Sequence, residues 1–178
     1  MGQERIVSGV DSGLYLFHPL HFLLNDNLGK QEGPNIGRNG ENLTISFLSL
    51  NRSSLSERLC RSIAEHLPDF AGEVLAIDNG STDEELTRLR DILSQMRFRS
   101  RLISLGANFG VAGGRNRTVA HVRTPWLMCL DNDIYFIRNS LPRLQKEIGT
   151  LGCHFISLPL LDPDRETVFS LGGHLYVH

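Results

Sequence analysis

The chain has 178 residues, 40% of them apolar, enough to bury about two thirds of the unfolded surface in one autonomous domain. Its 18 basic and 20 acidic residues leave a net charge of -2, so no overall field draws it to nucleic acid or to an anionic membrane. All of the basic residues except Lys30 and Lys146 are Arg, a lean toward bidentate anion contacts.

Residues 1–42 read as an N-terminal extension and linker. No basic segment followed by an apolar one opens the sequence. The longest apolar stretch, "LYLFHPLHFLL" from Leu14, is about half a membrane span and is interrupted by two His and a Pro. Neither export nor a transmembrane helix is expected, and this stretch is expected to pack on the rest of the fold. "NDNLGKQEGPNIGRNGEN" (25–42) is polar and rich in Gly and Asn, which reads as loop. Cys60, Cys129 and Cys153 are odd in number, lack metal-ligand spacing and sit in apolar contexts, as reduced, buried thiols of a cytoplasmic protein would.

From residue 43 the pattern is regular. "LTISFLSL" (43–50) is a strand by β-branched content and length, and Ser54 to Leu67 places Leu55, Leu59, Ile63 and Leu67 on one helical stripe. "EVLAID" (73–78) is a second strand. Ser81 with Glu84 has the spacing of a capping box for a helix carrying Leu86, Leu89, Ile92, Leu93 and Met96. "RLISL" (101–105) is a third strand, followed by a glycine-rich turn and a helix from about Gly114 to Val122. "WLMCL" (126–130) is a fourth strand without a polar residue, as expected of a parallel strand covered on both faces. A helix around Ser140 to Ile148 and a strand within "CHFISLPLL" (153–161) complete the alternation. The expected fold is an open, mostly parallel α/β sheet with helices on both faces, in which ligands sit outside the carboxyl ends of the strands.

The polar motifs all fall on that edge. Asn51 and Arg52 follow the first strand, Asp78-Asn79-Gly80-Ser81 the second, Asn108 to Asn116 the third, and Asp131 and Asp133 the fourth. A hard divalent cation prefers carboxylate oxygens and bridges phosphates, so the D-x-D pair on a rigid strand end suits a metal that holds a nucleotide diphosphate. Glycines allow close approach of backbone to phosphate or sugar, and a helix N-terminus favours an anion. The glycine-rich turn lacks the Gly-Lys-Ser/Thr of a P-loop, and the first strand is not followed by a dinucleotide-binding fingerprint.

"LTISFLSLNRSSLSERLCRSI", "VLAIDNGSTDEEL", "NFGVAGGRNRTV" and "PWLMCLDNDIYF", in this order and spacing, resemble the nucleotide-binding half of family 2 inverting glycosyltransferases of GT-A fold. The last two are similar to the rhamnosyltransferase-like branch. The resemblance runs from about Leu43 to Gly173 and makes 43–178 a nucleotide-sugar-binding domain. It implies that Asp78 hydrogen-bonds the base or ribose, and that Asn108 and Arg115 line the donor pocket beside Asn51, Arg52, Gly110 and Asp131. Asp131 and Asp133 would hold Mn2+ or Mg2+. The implied donor is a nucleotide-diphosphate sugar, UDP- or dTDP-linked. The implied acceptor is a saccharide or a lipid-linked molecule, and the location cytoplasmic or peripheral at the inner face of the membrane.

The resemblance assigns no catalytic base. In that family an Asp or Glu after the strand that follows D-x-D takes this role, and here only Asp162, Asp164 and Glu166 come later, in a stretch that reads as a hairpin loop. His174 and His178 read as solvated surface groups. The chain alone is therefore expected to bind a donor without transferring it, and a non-catalytic remnant or a fragment of a longer glycosyltransferase stands as the alternative. A haloacid-dehalogenase-like phosphatase fits less well, because its D-x-D normally opens the fold and precedes Thr or Val where Ile134 stands. A sugar-nucleotide pyrophosphorylase would carry its glycines after the first strand, where this sequence has "LNRSSLSERL".

Overall fold

The computed structural model describes residues 15–17, 35–151, 155–157, 160–161 and 168–170. In chain order these form β1 (Tyr15–Phe17), a single 3-10 turn (Arg38–Gly40), β2 (Leu43–Ser49), α1 (Ser53–His66), β3 (Glu73–Asp78), α2 (Asp83–Ser94), β4 (Arg99–Ser104), α3 (Gly110–Val119), β5 (Trp126–Asp131), α4 (Leu141–Leu151), β6 (Phe155–Ser157), β7 (Leu160–Leu161) and β8 (Val168–Ser170). Six strands make one sheet in the order β4-β3-β2-β5-β1-β6, and β7 pairs with β8 separately. The pairs β2–β3, β3–β4 and β2–β5 are parallel, which confirms the open α/β sheet.

Side chains alternate across the strands, so each strand serves both layers. Leu43, Ile45 and Phe47 of β2, Val74 and Ala76 of β3, and Trp126, Met128 and Leu130 of β5 face one side. There they form a single cluster with Leu59 and Ile63 of α1, Leu89 and Leu93 of α2, and Leu141, Leu144 and Ile148 of α4. The intervening residues face the other layer, where Leu75, Ile77 and Leu127 are also buried. On this side Gly114 of α3 lies so close to Leu48 that an added Cβ would stand 3.0 Å from its methyl carbons. Under the same layer Glu73 and Arg101 form a two-pronged ion pair at 2.7 Å, and Arg101 also donates to the carbonyl of His121. The guanidinium holds the Glu73 carboxyl below its ordinary range, against the opposing effect of burial.

Several local expectations shift. Residues 15–17, expected to pack on the fold, instead enter the sheet between β5 and β6, antiparallel to both. The described end of the polar linker is also anchored: Ile36 is fully buried, and Asn35 donates to the carbonyl of Gln145 in α4. The cap of α2 is Thr82 rather than Ser81, with its hydroxyl accepting from Glu85 N–H. Helix α3 begins at Gly110, four residues before the expected start, where Asn79 of the neighbouring loop takes the amide of Phe109 and Asn108 of the same loop takes that of Gly110. The single strand expected over 153–161 is divided into β6 and β7, on either side of Pro159, which has no amide for a ladder. Cys60 and Cys129 are free and buried, while Cys153 lies outside the described residues. Burial pushes the Cys60 thiol up to about 12 and the Cys129 thiol up to about 11. None of the described helices is long and apolar enough to cross a membrane.

Candidate functional site

The parallel order brings the ends of β4, β3, β2 and β5 side by side, and polar side chains link each to the next. After β2 the chain turns at Asn51, whose φ of 53° is left-handed, a conformation Asn tolerates better than most residues. Its Oδ1 accepts from Thr82 N–H and its own N–H donates to Ser81 Oγ, each at 2.9 Å. Arg52 beside it is exposed. The first two loops are thereby tied together.

Asp78 ends β3 and is 1% exposed. One carboxylate oxygen accepts from Ser81 N–H at 3.0 Å and the other from the Ser104 hydroxyl at 2.8 Å. Asn79 is equally enclosed and joins three loops. Its backbone N–H donates to Ser49 O at 2.8 Å, its Oδ1 accepts from Phe109 N–H, and its Nδ2 donates to Asn108 Oδ1 and Gly110 O. Gly80 follows with φ 89°, and a Cβ there would lie 2.6 Å from the carbonyl carbon of Ala107. Only glycine allows the β3 and β4 loops to touch at this point.

The turn after β4 is fixed by Asn108, which also accepts from Gly110 N–H at 2.8 Å. Gly110 itself has φ 69°. Phe109 stays exposed under the guanidinium of Arg117, 3.5 Å from the ring centre. Helix α3 then carries Arg115 across to β5, where Nη2 meets Asp131 Oδ1 at 2.7 Å.

Asp131 and Asp133 are both exposed at the end of β5, and the turn closes through Ile134 N–H to Asp131 O. Asn132, the spacer of the motif, faces away from them. Its Nδ2 reaches Ser56 Oγ at 3.3 Å and Arg52 O at 3.4 Å, tying β5 back to the start of α1. All of the sequence-expected residues thus come to one edge. Asp131 and Asp133 offer hard oxygens to solvent, and among the described residues no cluster of three or more His, Cys, Asp or Glu surrounds them. Two exposed carboxylates with the remaining positions left to phosphate and water fit an Mg2+ or Mn2+ ion of a diphosphate site, and do not fit an all-protein cage.

Sequence reasoning placed Asn79 on this edge and Asn132 inside D-x-D without giving either a role of its own. An Asn beside an Asp reads as turn chemistry until its partners, about thirty residues away for Asn79 and about eighty for Asn132, are placed next to it. Asp162, Asp164, Glu166, His174 and His178 lie outside the described residues.

The family model described as "Glycosyl transferase family 2" matches residues 48–169. The chain belongs to glycosyl transferase family 2. Among solved structures, a mannosyltransferase from Pyrobaculum calidifontis, in complex with GDP-Man and Mn2+, is similar at 19% identity and a TM-score of 0.52. The alignment covers 58% of this chain and 30% of that one. S. aureus TarS 1–349 in complex with UDP-GlcNAc is similar at 20% identity and a TM-score of 0.52, covering 61% and 31%. At such identities the likeness shows a shared fold, the GT-A arrangement of family 2. The chain spans about a third of the length of these structures. No curated protein matches.

Proposed function

We propose that this family 2 domain, residues 43–178, binds a nucleotide-diphosphate sugar, with Asp131 and Asp133 holding an Mg2+ or Mn2+ ion that carries the diphosphate. The donor then passes its sugar to a saccharide or lipid-linked acceptor. The observation that carries this reading is the hydrogen-bonded edge itself: the four loops form one scaffold, and its two exposed carboxylates stand at the end of the central strand pair. The solved relatives hold GDP-Man with Mn2+ and UDP-GlcNAc, which supports the ligand class.

Each residue has a task in this reading. A bound cation neutralises charge that builds on the departing diphosphate. Asp78, with two of its roughly four lone-pair positions used, can still accept a hydrogen bond from base or ribose. Asn79 and Asn108 take the amides of Phe109 and Gly110, which leaves the later first-turn amides of α3, at Val111 and Ala112, to favour an anion. Asn51 and Arg52 close the nucleoside side, and Arg115 stands beside the diphosphate. Inversion also needs a base on the acceptor face, and no described residue is assigned to it.

The test is thermal unfolding with UDP, dTDP and GDP, each with Mn2+, with Mg2+ and with EDTA. One of these nucleotides should stabilise the fold by about 2.7 kcal/mol at a hundredfold excess over its dissociation constant, and only with metal. Equal stabilisation in EDTA would remove the metal from the reading, and no stabilisation by any of the three would remove the nucleotide.

A further inference from the structure

The Arg115–Asp131 pair stands in the way of the ion just assigned to Asp131, and its details say how the conflict is resolved. Nη2 of Arg115 takes Oδ1 of Asp131 at 2.7 Å, with the two side chains 33% and 57% exposed. Nε of Arg115 is buried and has no hydrogen-bond partner. The guanidinium is therefore committed to the carboxylate by one prong while another donor is left dry and unmet, an arrangement with a desolvation cost that a second acceptor would relieve. A diphosphate is such an acceptor, because its tetrahedral phosphate groups offer pairs of oxygens that the planar guanidinium fork can meet side by side.

We infer that Arg115 is an electrostatic latch on the metal site: it neutralises Asp131 in the free protein and exchanges that carboxylate for the diphosphate when metal and nucleotide arrive together. The inference rests on the proposed donor site and adds its order of assembly. Metal alone must displace a cation from Asp131 and then sit beside it, so it binds weakly. Nucleotide alone meets an arginine already engaged. With both present, the carboxylate takes the metal, the guanidinium takes the diphosphate, and no charge is left unpaired. Each ligand then raises the affinity of the other by the same factor, as linkage requires. Arg115 acts here as a positioning residue whose partner depends on what is bound. The empty protein keeps a stray divalent ion out of a site that has no use for it without the donor.

The experiment measures Mn2+ binding to the full chain without nucleotide, by the spin-resonance signal of the free ion, for the native protein and for Arg115→Met, Arg115→Lys and Asp131→Asn. Calorimetry then gives the affinities for UDP with Mn2+ and for uridine. Arg115→Met should bind Mn2+ alone about three- to tenfold more tightly, as expected when an exposed ion pair and its neighbouring charge are lost. It should bind UDP with Mn2+ at least about tenfold more weakly, the loss expected for a charge-assisted bond, while uridine affinity stays unchanged. Arg115→Lys should fall between, keeping the charge without the fork. Unchanged or weaker Mn2+ binding by both Arg115 variants would overturn the latch and leave the pair as a strut between α3 and β5. Unchanged Mn2+ binding by Asp131→Asn would instead overturn the metal site itself, so the two failures are told apart.

Discussion

Asp78 combines two duties that usually exclude one another, because it is enclosed by the fold and lies at the edge assigned to the nucleoside. Its carboxylate is the acceptor for the Ser81 amide and the Ser104 hydroxyl, so it fixes the turn that positions Asn79 and Gly80. An exposed aspartate in this place could be removed with little effect on stability, but at 1% exposure it cannot. Asp78→Ala should lower stability by about 1–3 kcal/mol, from the loss of two hydrogen bonds to a buried carboxylate, and should weaken nucleotide binding as well. Urea unfolding followed by UDP titration checks both, and an unaltered unfolding midpoint would show that the turn holds without the carboxylate. The residue types of this site were legible in the sequence, since Asp, Asn and Gly after each strand marked the right edge. Burial was not, because it depends on Ser104 at the end of β4 meeting Asp78 and on Ala107 in the following loop meeting Gly80.

Between elements, the starts of α1 and α2 are set by one preference: side chains there take partners in the neighbouring loop or helix rather than in their own helix. Ser81 and Glu84 have capping-box spacing, yet Ser81 is taken by Asn51 and the cap falls to Thr82. Glu85 then turns outward from α2 and accepts from Ser53 N–H at 2.8 Å, at the first turn of α1. The N-cap of α1, Arg52, has no side-chain cap of its own, so a residue of α2 supplies the anion that the α1 terminus favours. Glu85→Ala should cost about 1 kcal/mol, the usual loss of a helix cap. The Ser53 amide holds the Glu85 carboxyl below its ordinary value of 4.5. A depressed folded-state value means that the contribution is present above that value and fades as pH falls through the lower one. The stability difference between Glu85→Ala and the native chain should therefore be full at pH 7 and shrink under acid conditions. A difference independent of pH would assign the loss to packing instead. Helix existence and the apolar stripes were readable from periodicity, whereas the exact first turns depended on residues about thirty positions away.

At the scale of the molecule, the parallel half of the sheet could be read from the sequence because each strand is a short apolar run with its helix following it. The place of β1 could not be read that way. Tyr15 pairs with Cys129, more than a hundred residues along the chain, and no turn signal connects them. What the pairing does is clear from the order of strands. Without β1, the apolar strand β5 would present one side of its backbone as an open edge, since β6 reaches it only through β1. An unpaired edge beside Leu127, Met128 and Cys129, all buried in the native sheet, is a template for another chain. Removing residues 1–34 should therefore lower the melting temperature and shift the protein from a single species toward aggregates at micromolar concentration, as read by size exclusion with light scattering. Because β5 and β6 both run antiparallel to β1, they run parallel to each other, and α4 connects them. The truncated sheet could close by bringing β6 onto β5, and a monodisperse product with native stability would show that it does. That result would also make the N-terminal strand a spacer that sets where β6 lies, rather than a cover that the fold requires.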